Sequence, residues 1–165
     1  LSKEKLRSGR FLKVLSLFGI ADESIGNSIG DYYVKHSPYK VGLFDHSHEI
    51  LKYLQQKYAL HIITNGFEEV QYIKLRESKL LDYFDAIITS EAAKAKKPHQ
   101  QIFNYAQELT NAQAKDCLII GDDIEADING GKEAGWETIH FDPHREFAQL
   151  SGNRIFHLKE LESLL

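Results

Sequence analysis

LIIGDDIEADINGG, residues 118–131, sets four acids directly behind a run of aliphatic residues. Leu118, Ile119 and Ile120 suit a buried strand, whereas Asp122, Asp123, Glu125 and Asp127 require water or a cation. A helix running through Gly130–Gly131 follows. A buried strand, an acidic loop and a helix in that order make one step of a parallel α/β sheet, with the acids at its mouth.

The same rhythm recurs on both sides. LHIIT (60–64) is a strand, followed by a helix from about Glu68 that carries Val70, Ile73 and Leu80. DAIIT (85–89) is the next strand, and Ile102, Phe103, Ala106 and Leu109 mark an amphipathic helix. CLII (117–120), ETIHF (137–141) and RIF (154–156) read as further strands, with LKELESLL (158–165) as a closing helix. Ahead of them, Asp45 or Ser47 is placed to cap a helix carrying Ile50, Leu51 and Leu54. Residues 1–37 differ, reading as two helices with apolar stripes Phe11, Leu12, Leu15, Phe18 and Ile25, Ile29, Tyr32, Tyr33, stopped near Pro38. PYKVGLF (38–44) looks like a linker. The expected fold is α/β, a parallel sheet with helices on both faces behind a helical segment.

Composition narrows the class. The 165 residues suit one domain with a small appendage, and 42% hydrophobic with 27% charged residues excludes disordered and fibrous chains. A net charge of −4 gives no basic excess for a nucleic-acid polymer or an anionic membrane. Cys117 is the only cysteine, so no intrachain disulfide forms, which suits a reducing compartment. No apolar run approaches the ~20 residues of a membrane helix, so a cytoplasmic protein is the default. Methionine is absent, and the chain opens LSKEKLRSGR in a charged, helix-like pattern. That start fits a piece of a longer reading frame at least as well as a processed terminus.

In such sheets ligands gather beyond the carboxyl ends of the strands. Three polar signals fall there: Thr64-Asn65-Gly66, Lys96-Lys97-Pro98 and Gly121-Asp122-Asp123, with Asp127 beyond. A hydroxyl, an ammonium and a carboxylate cluster suit a phosphoryl group bridged to a divalent cation. Hard oxygen ligands in small number select Mg²⁺. Asp122, at the strand tip, is the direct-ligand candidate; Asp127 would hold a metal-bound water or a lysine; Asp123 and Glu125 would face solvent or cap the helix. Blander readings stand beside each. Acids favour any helix N-terminus by ~0.3–1 kcal/mol. Lys97 is otherwise a surface lysine, Thr64 a β-branched strand residue and Gly66 a turn. Pro98 would fix the first turn of the following helix and so make Lys97 leave from a rigid place.

That order of motifs resembles the haloacid dehalogenase-like hydrolases. TNGFEEVQYIKLRESKLLDYFDAIITSE and KKPHQQIF are similar to the branch with a small helical cap, and within it to the pyrimidine 5′-nucleotidase-type phosphatases. The resemblance implies a Rossmann-like core over residues 38–165, with residues 1–37 as the later part of the cap. It implies a Mg²⁺-dependent phosphohydrolase that takes a small phosphorylated metabolite, such as a nucleoside 5′-monophosphate, through an aspartyl-phosphate. By the same resemblance Thr64 would bond a phosphoryl oxygen with the Asn65 amide nearby. Lys97 would neutralise charge, and Asp122 would hold Mg²⁺ with support from Asp127 or Asp123. Lys94 stands where relatives often carry glycine, and Asp123 replaces a common serine. These enzymes carry their nucleophile in a DxD segment closing a first strand ahead of the cap, and no such segment occurs here. The central first strand is thus expected to be missing, and the chain to be an incomplete, inactive portion of an enzyme. Rival readings are a 2-haloacid dehalogenase, which needs no metal cluster, and a non-catalytic remnant binding a partner through an exposed sheet centre. A receiver-type signalling domain would place its acids first and its lysine last.

Lesser signals have plain readings. His46 and His48, at i and i+2, point apart and suit capping and exposure. Lys3, Lys5, Arg7, Arg10 and Lys13 form a basic helix face that is solvated or steers an anionic substrate. Tyr32, Tyr33 and Tyr39 suit stacking on a base or packing within the cap, and Trp136 suits a place near the sheet edge.

Overall fold

Short aliphatic runs form the strands, and each is parallel to its neighbour. β1 (His61–Thr64) pairs with β2 (Ala86–Thr89), Thr64 lying opposite Thr89. β3 (Leu118–Gly121), β4 (Glu137–Phe141) and β5 (Arg154–Ile155) form a second parallel sheet in that order. The structure is a computed structural model describing residues 3–146 and 152–165, with side chains from Gly9 onward. Its helices are α1 (Lys3–Leu17), α2 (Glu23–His36), α3 (Ser47–Gln55), α4 (Glu68–Glu77), α5 (Gln100–Thr110), α6 (Gly130–Glu133) and α7 (Leu161–Leu164). A π-helical turn, Ile124–Asn129, leads into α6. None of the described helices is long and apolar enough to cross a membrane. The α/β class with parallel strands is as the sequence predicts.

Alternation along the strands sends side chains to two cores. On one face Ile88 of β2 and Ile119 of β3 meet Ile102, Phe103 and Ala106 of α5, with Ile63 of β1 against them. On the other, Ile139 and Ile155 meet Ile50 and Leu54 of α3 and Leu161 of α7, with Leu118 and Ile120 packed alongside. The two sheets therefore share a core although β1 and β3 exchange no ladder bonds; strands β1 and β3 are each left with one unpaired edge among the described residues.

The chain divides into two compact units, residues 1–42 and 43–165. Within the first, α1 packs on α2, which starts at an Asp22 cap accepting from the Ser24 and Ile25 amides. The expected stripe of α2 is not its buried face: Ile25, Ile29, Tyr32 and Tyr33 are 37–68% exposed, and Gly26 and Gly30 are buried instead. A Cβ on Gly26 would run into the Leu12 side chain, so the helices approach where α2 has no side chains. Phe18, expected on the α1 stripe, lies past the helix end and is 76% exposed. The side chains of Lys3, Lys5 and Arg7 lie outside the described residues; Arg10 stacks over Phe11 and Tyr33.

Two local expectations also need correcting in the second unit. Neither Asp45 nor Ser47 caps α3; His46 holds the cap position at φ 65° with no side-chain cap bond, and Ser47 donates to the Phe44 carbonyl at 2.7 Å. His46 and His48 are both exposed, as expected, His46 bonding Glu49 at 2.7 Å and His48 lying 3.2 Å from the Tyr83 hydroxyl. Trp136 does not end at a sheet edge but packs edge-on to Phe103, 5.3 Å between centroids, against the first core.

Candidate active site

The tip of β1 is held from three directions. The Gly66 amide donates to Thr64 Oγ1 at 3.0 Å, fixing the hydroxyl oxygen while its proton stays available to a ligand. Ser90 donates its amide to the Thr64 carbonyl at 2.9 Å and its hydroxyl to the Asn65 carbonyl at 3.3 Å. Beneath them the fully buried Thr89 donates to Glu68 at 3.3 Å and accepts from the Ala92 amide at 3.2 Å. Gln71 of α4 folds over Gly66, where any Cβ would meet its amide.

Lys97 joins this tip to the acidic turn. Its Nζ donates to the Ile63 carbonyl at 2.9 Å and pairs with Asp127, both side chains being nearly buried. Its backbone amide donates to Asn65 Oδ1 at 2.7 Å, and its carbonyl accepts from Asn65 Nδ2 at 3.0 Å. Pro98, joined to Lys97 by a cis bond, is not in the first turn of α5; the helix starts at Gln100 under a His99 cap. What rigidifies Lys97 is the Asn65 amide on one side and Gly130 on the other, where a Cβ would come within 2.9 Å of Pro98.

The acids of the quoted stretch divide their work. Asp127 is 5% exposed; one oxygen faces Lys97 and the other accepts from the Asp123 amide at 3.2 Å. Gly121 is obligatory beneath it, because a Cβ there would overlap the carboxylate. Asp123 Oδ1 accepts from the Ala126 amide at 2.8 Å, capping the π-helical turn. Glu125 is exposed and accepts from Asn129 at 2.8 Å. Asp122 is exposed at the strand tip, and no hydrogen bond or ion pair engages its carboxylate among the described residues. Its backbone carbonyl lies 3.3 Å from His140 Nε2.

The structure thus links the Thr64–Asn65 tip, Lys97 and Asp127 in one bonded network ending at the turn that carries Asp122. It does not gather Asp122, Asp123 and Asp127 into a cage: among the described residues, no three His, Cys, Asp or Glu side chains converge as metal ligands. One unengaged carboxylate at a sheet rim is nevertheless the donor set that suits Mg²⁺, which takes one or two carboxylates and keeps its waters. Sequence reasoning missed the Asn65 side chain, the Ile63 carbonyl and the Glu68–Thr89 support, all visible only once β1 and β2 lie in register. The glycine expected at position 94 has a physical counterpart, since Lys94 adopts φ 56°, the left-handed region that favours glycine. Cys117 lies just before β3, its thiol pushed up by burial and then by the Asp116 charge; it takes no part in the site.

Known proteins share this arrangement of sequence and fold. The putative HAD-hydrolase YfnB of Bacillus subtilis is 33% identical over 144 residues, 87% of this chain and 60% of that protein. Its magnesium-bound crystal structure superposes with a TM-score of 0.91 at 31% identity, covering 100% of this chain and 73% of that one. The pyrimidine 5′-nucleotidase PynA of Streptococcus pneumoniae is 31% identical over 146 residues, 87% of this chain and 61% of that protein. The chain spans about three fifths of the length of these two curated relatives. A family model described as haloacid dehalogenase-like hydrolase matches residues 13–141, well over half of the chain, and the chain belongs to that family.

Proposed function

We propose that the protein is a Mg²⁺-dependent phosphohydrolase of the cytoplasm, acting on a small phosphomonoester through an aspartyl-phosphate, with nucleoside 5′-monophosphates as the favoured substrates. The observation that carries this reading is the Lys97 ammonium, held between Asp127 and the carbonyl of Ile63, the residue before Thr64. A fixed cation and a hydroxyl with its proton free are donors aimed where a phosphoryl group gathers charge. The similarity to PynA supports the nucleotide class.

In this reading Thr64 donates to a phosphoryl oxygen, and Lys97 offsets the repulsion between a phosphate and an anionic nucleophile. Asp127 keeps the ammonium on station, one oxygen on Lys97 and the other on the Asp123 amide. Asp122 would hold Mg²⁺, which when bound would neutralise charge on the phosphoryl oxygens. The attacking carboxylate would stand on a strand paired with the open edges of β1 and β3, which would satisfy two unpaired ladders at once. Residues 1–37 would contribute part of a helical cap.

The test is phosphate release from nucleoside monophosphates and sugar phosphates, with and without EDTA. Residues 1–165 alone are expected to turn over nothing. The same polypeptide preceded by a strand ending in DxD is expected to hydrolyse phosphomonoesters, with the activity lost on chelation or with Lys97→Ala. Release of halide from 2-haloacids that survives EDTA would overturn the assignment, as would phosphatase turnover by residues 1–165 alone.

A further inference from the structure

We infer that the Asn65 side chain is a positioning residue that locks Lys97 to the same strand tip as Thr64, so that hydroxyl and ammonium form one rigid pair. The inference deepens the phosphohydrolase reading, on which it rests for the task it gives Lys97. Its geometric content stands on the bonds alone.

Lys97 closes a loop that leaves β2 at Thr89 and reaches α5 only at Gln100. A lysine on such a loop ordinarily takes its position from the loop, and a long flexible stem adds further freedom. Here both ends of the loop are tied to two residues of another strand. At the start, Ser90 donates its amide to the Thr64 carbonyl and its hydroxyl to the Asn65 carbonyl. At the end, the Asn65 carboxamide meets Lys97 twice, accepting from its amide at 2.7 Å and donating to its carbonyl at 3.0 Å. The Lys97 stem then runs back so that Nζ reaches the carbonyl of Ile63, two residues before Asn65. Every bond that sets Lys97 therefore starts from β1 or its tip, apart from the pair with Asp127.

The side-chain chemistry is specific. A clamp on one residue's N–H and C=O needs an acceptor and a donor side by side on a short stem, which asparagine supplies. Aspartate keeps the acceptor but sets a second oxygen against the Lys97 carbonyl. Leucine keeps the approximate shape and loses both bonds. Glutamine is one methylene too long for the same span. Asn65 is itself exposed, so core packing does not account for its side chain.

The experiment compares the 165-residue chain with its Asn65→Leu variant by competitive acetylation read by mass spectrometry. Exposed Lys132 serves as the internal reference. Freed from the clamp, Lys97 should label about tenfold faster, the equivalent of one well-made hydrogen bond, with Lys132 and the melting temperature little changed. Equal labelling of Lys97 in both chains overturns the inference. Should Asn65→Leu fail to fold, Asn65→Asp carries the same test, and an unmoved labelling rate there overturns it equally. In a form that hydrolyses phosphomonoesters, Asn65→Leu should lower kcat about tenfold and leave KM within about twofold; an unchanged kcat overturns the inference. If labelling rises while no form hydrolyses any phosphomonoester, the phosphohydrolase reading falls and the clamp stands.

Discussion

The two units of the chain bury opposite kinds of residue. In residues 43–165 the least exposed hydrophobic side chains are Phe103, Ile102, Ile155 and Ile88, at 0–1%. In α2 of residues 1–42 the buried positions are Gly26 and Gly30, while Tyr32 stands 68% and Ile25 42% exposed. A parallel sheet with helices on both faces surrounds its aliphatic residues, so hydrophobicity and burial coincide. A two-helix hairpin gives each helix one neighbour, and where the backbones approach closely the contact falls on whichever residues have no side chain to obstruct it.

Truncation measures that contrast most directly. Phe103→Ala, at a site with no exposure and a Trp136 ring against it, should cost about 3–5 kcal/mol. Tyr32→Ala removes a ring of similar size from an exposed helix face and should change stability by less than about 0.5 kcal/mol. Chemical denaturation of both variants checks this; equal losses would mean that burial fails to divide the units as described. Added methyl groups give a smaller contrast. Gly131→Ala drives a Cβ to 2.6 Å from Ile119 Cγ2 and 3.0 Å from Thr138 Cγ2, between β3 and β4, and should cost about 1–3 kcal/mol. Gly26→Ala drives a Cβ into the Leu12 side chain, 2.6 Å from its Cγ with the Leu12 Cα 3.7 Å away; a rotamer change at Leu12 and about 0.5–1 kcal/mol of helix propensity offset part of that clash. A smaller loss at Gly26 than at Gly131 is the expected pair of results.

The contrast explains how much was legible beforehand. LHIIT, DAIIT, CLII and ETIHF form strands because such short aliphatic runs, bounded by polar residues and alternating with helical patterns, suit a sheet whose strands pair in parallel; β1 is only half-buried, whereas the other three each carry buried residues. Thr64, Lys97 and the Asp122 turn could be nominated from their places after those strands. Their division of labour could not. Asp123 caps a turn, Asp127 faces Lys97 and Asp122 is left unengaged, a result fixed by which backbone amide each carboxylate reaches. The helical stripe of Ile25, Ile29, Tyr32 and Tyr33 misled because periodicity reports which residues share a face and not which face a neighbour covers. Trp136 misled for a related reason. Its loop position suggested an edge, whereas the ring reaches back to Phe103.

Where the units do agree is in a carboxylate that accepts from backbone amides, Asp22 in one and Glu160 in the other, and acid should weaken both alike. Asp22 lies below the usual aspartate range because it accepts from Ser24, through side chain and amide, and from the Ile25 amide. Glu160 lies below the usual glutamate range because it accepts from the Phe156 amide and then from the His157 amide, each at 2.8 Å. A carboxylate whose folded pKa is depressed contributes stability above its unfolded value and loses it as pH falls through the folded one. The loss therefore begins below the ordinary values of 3.8 for Asp22 and 4.5 for Glu160. Asp22 is exposed and Glu160 only half-buried, so the effect is the smallest of the three and is best read locally. Hydrogen exchange of the Ser24 and Ile25 amides, and of the Phe156 and His157 amides, should lose protection over the same acid range after correction for intrinsic rates. Asp22→Asn and Glu160→Gln, which keep an acceptor and remove the titration, should each flatten only their own pair. Protection that stays constant on acidification in either unit would mean that the carboxylate there does not hold its amides in solution.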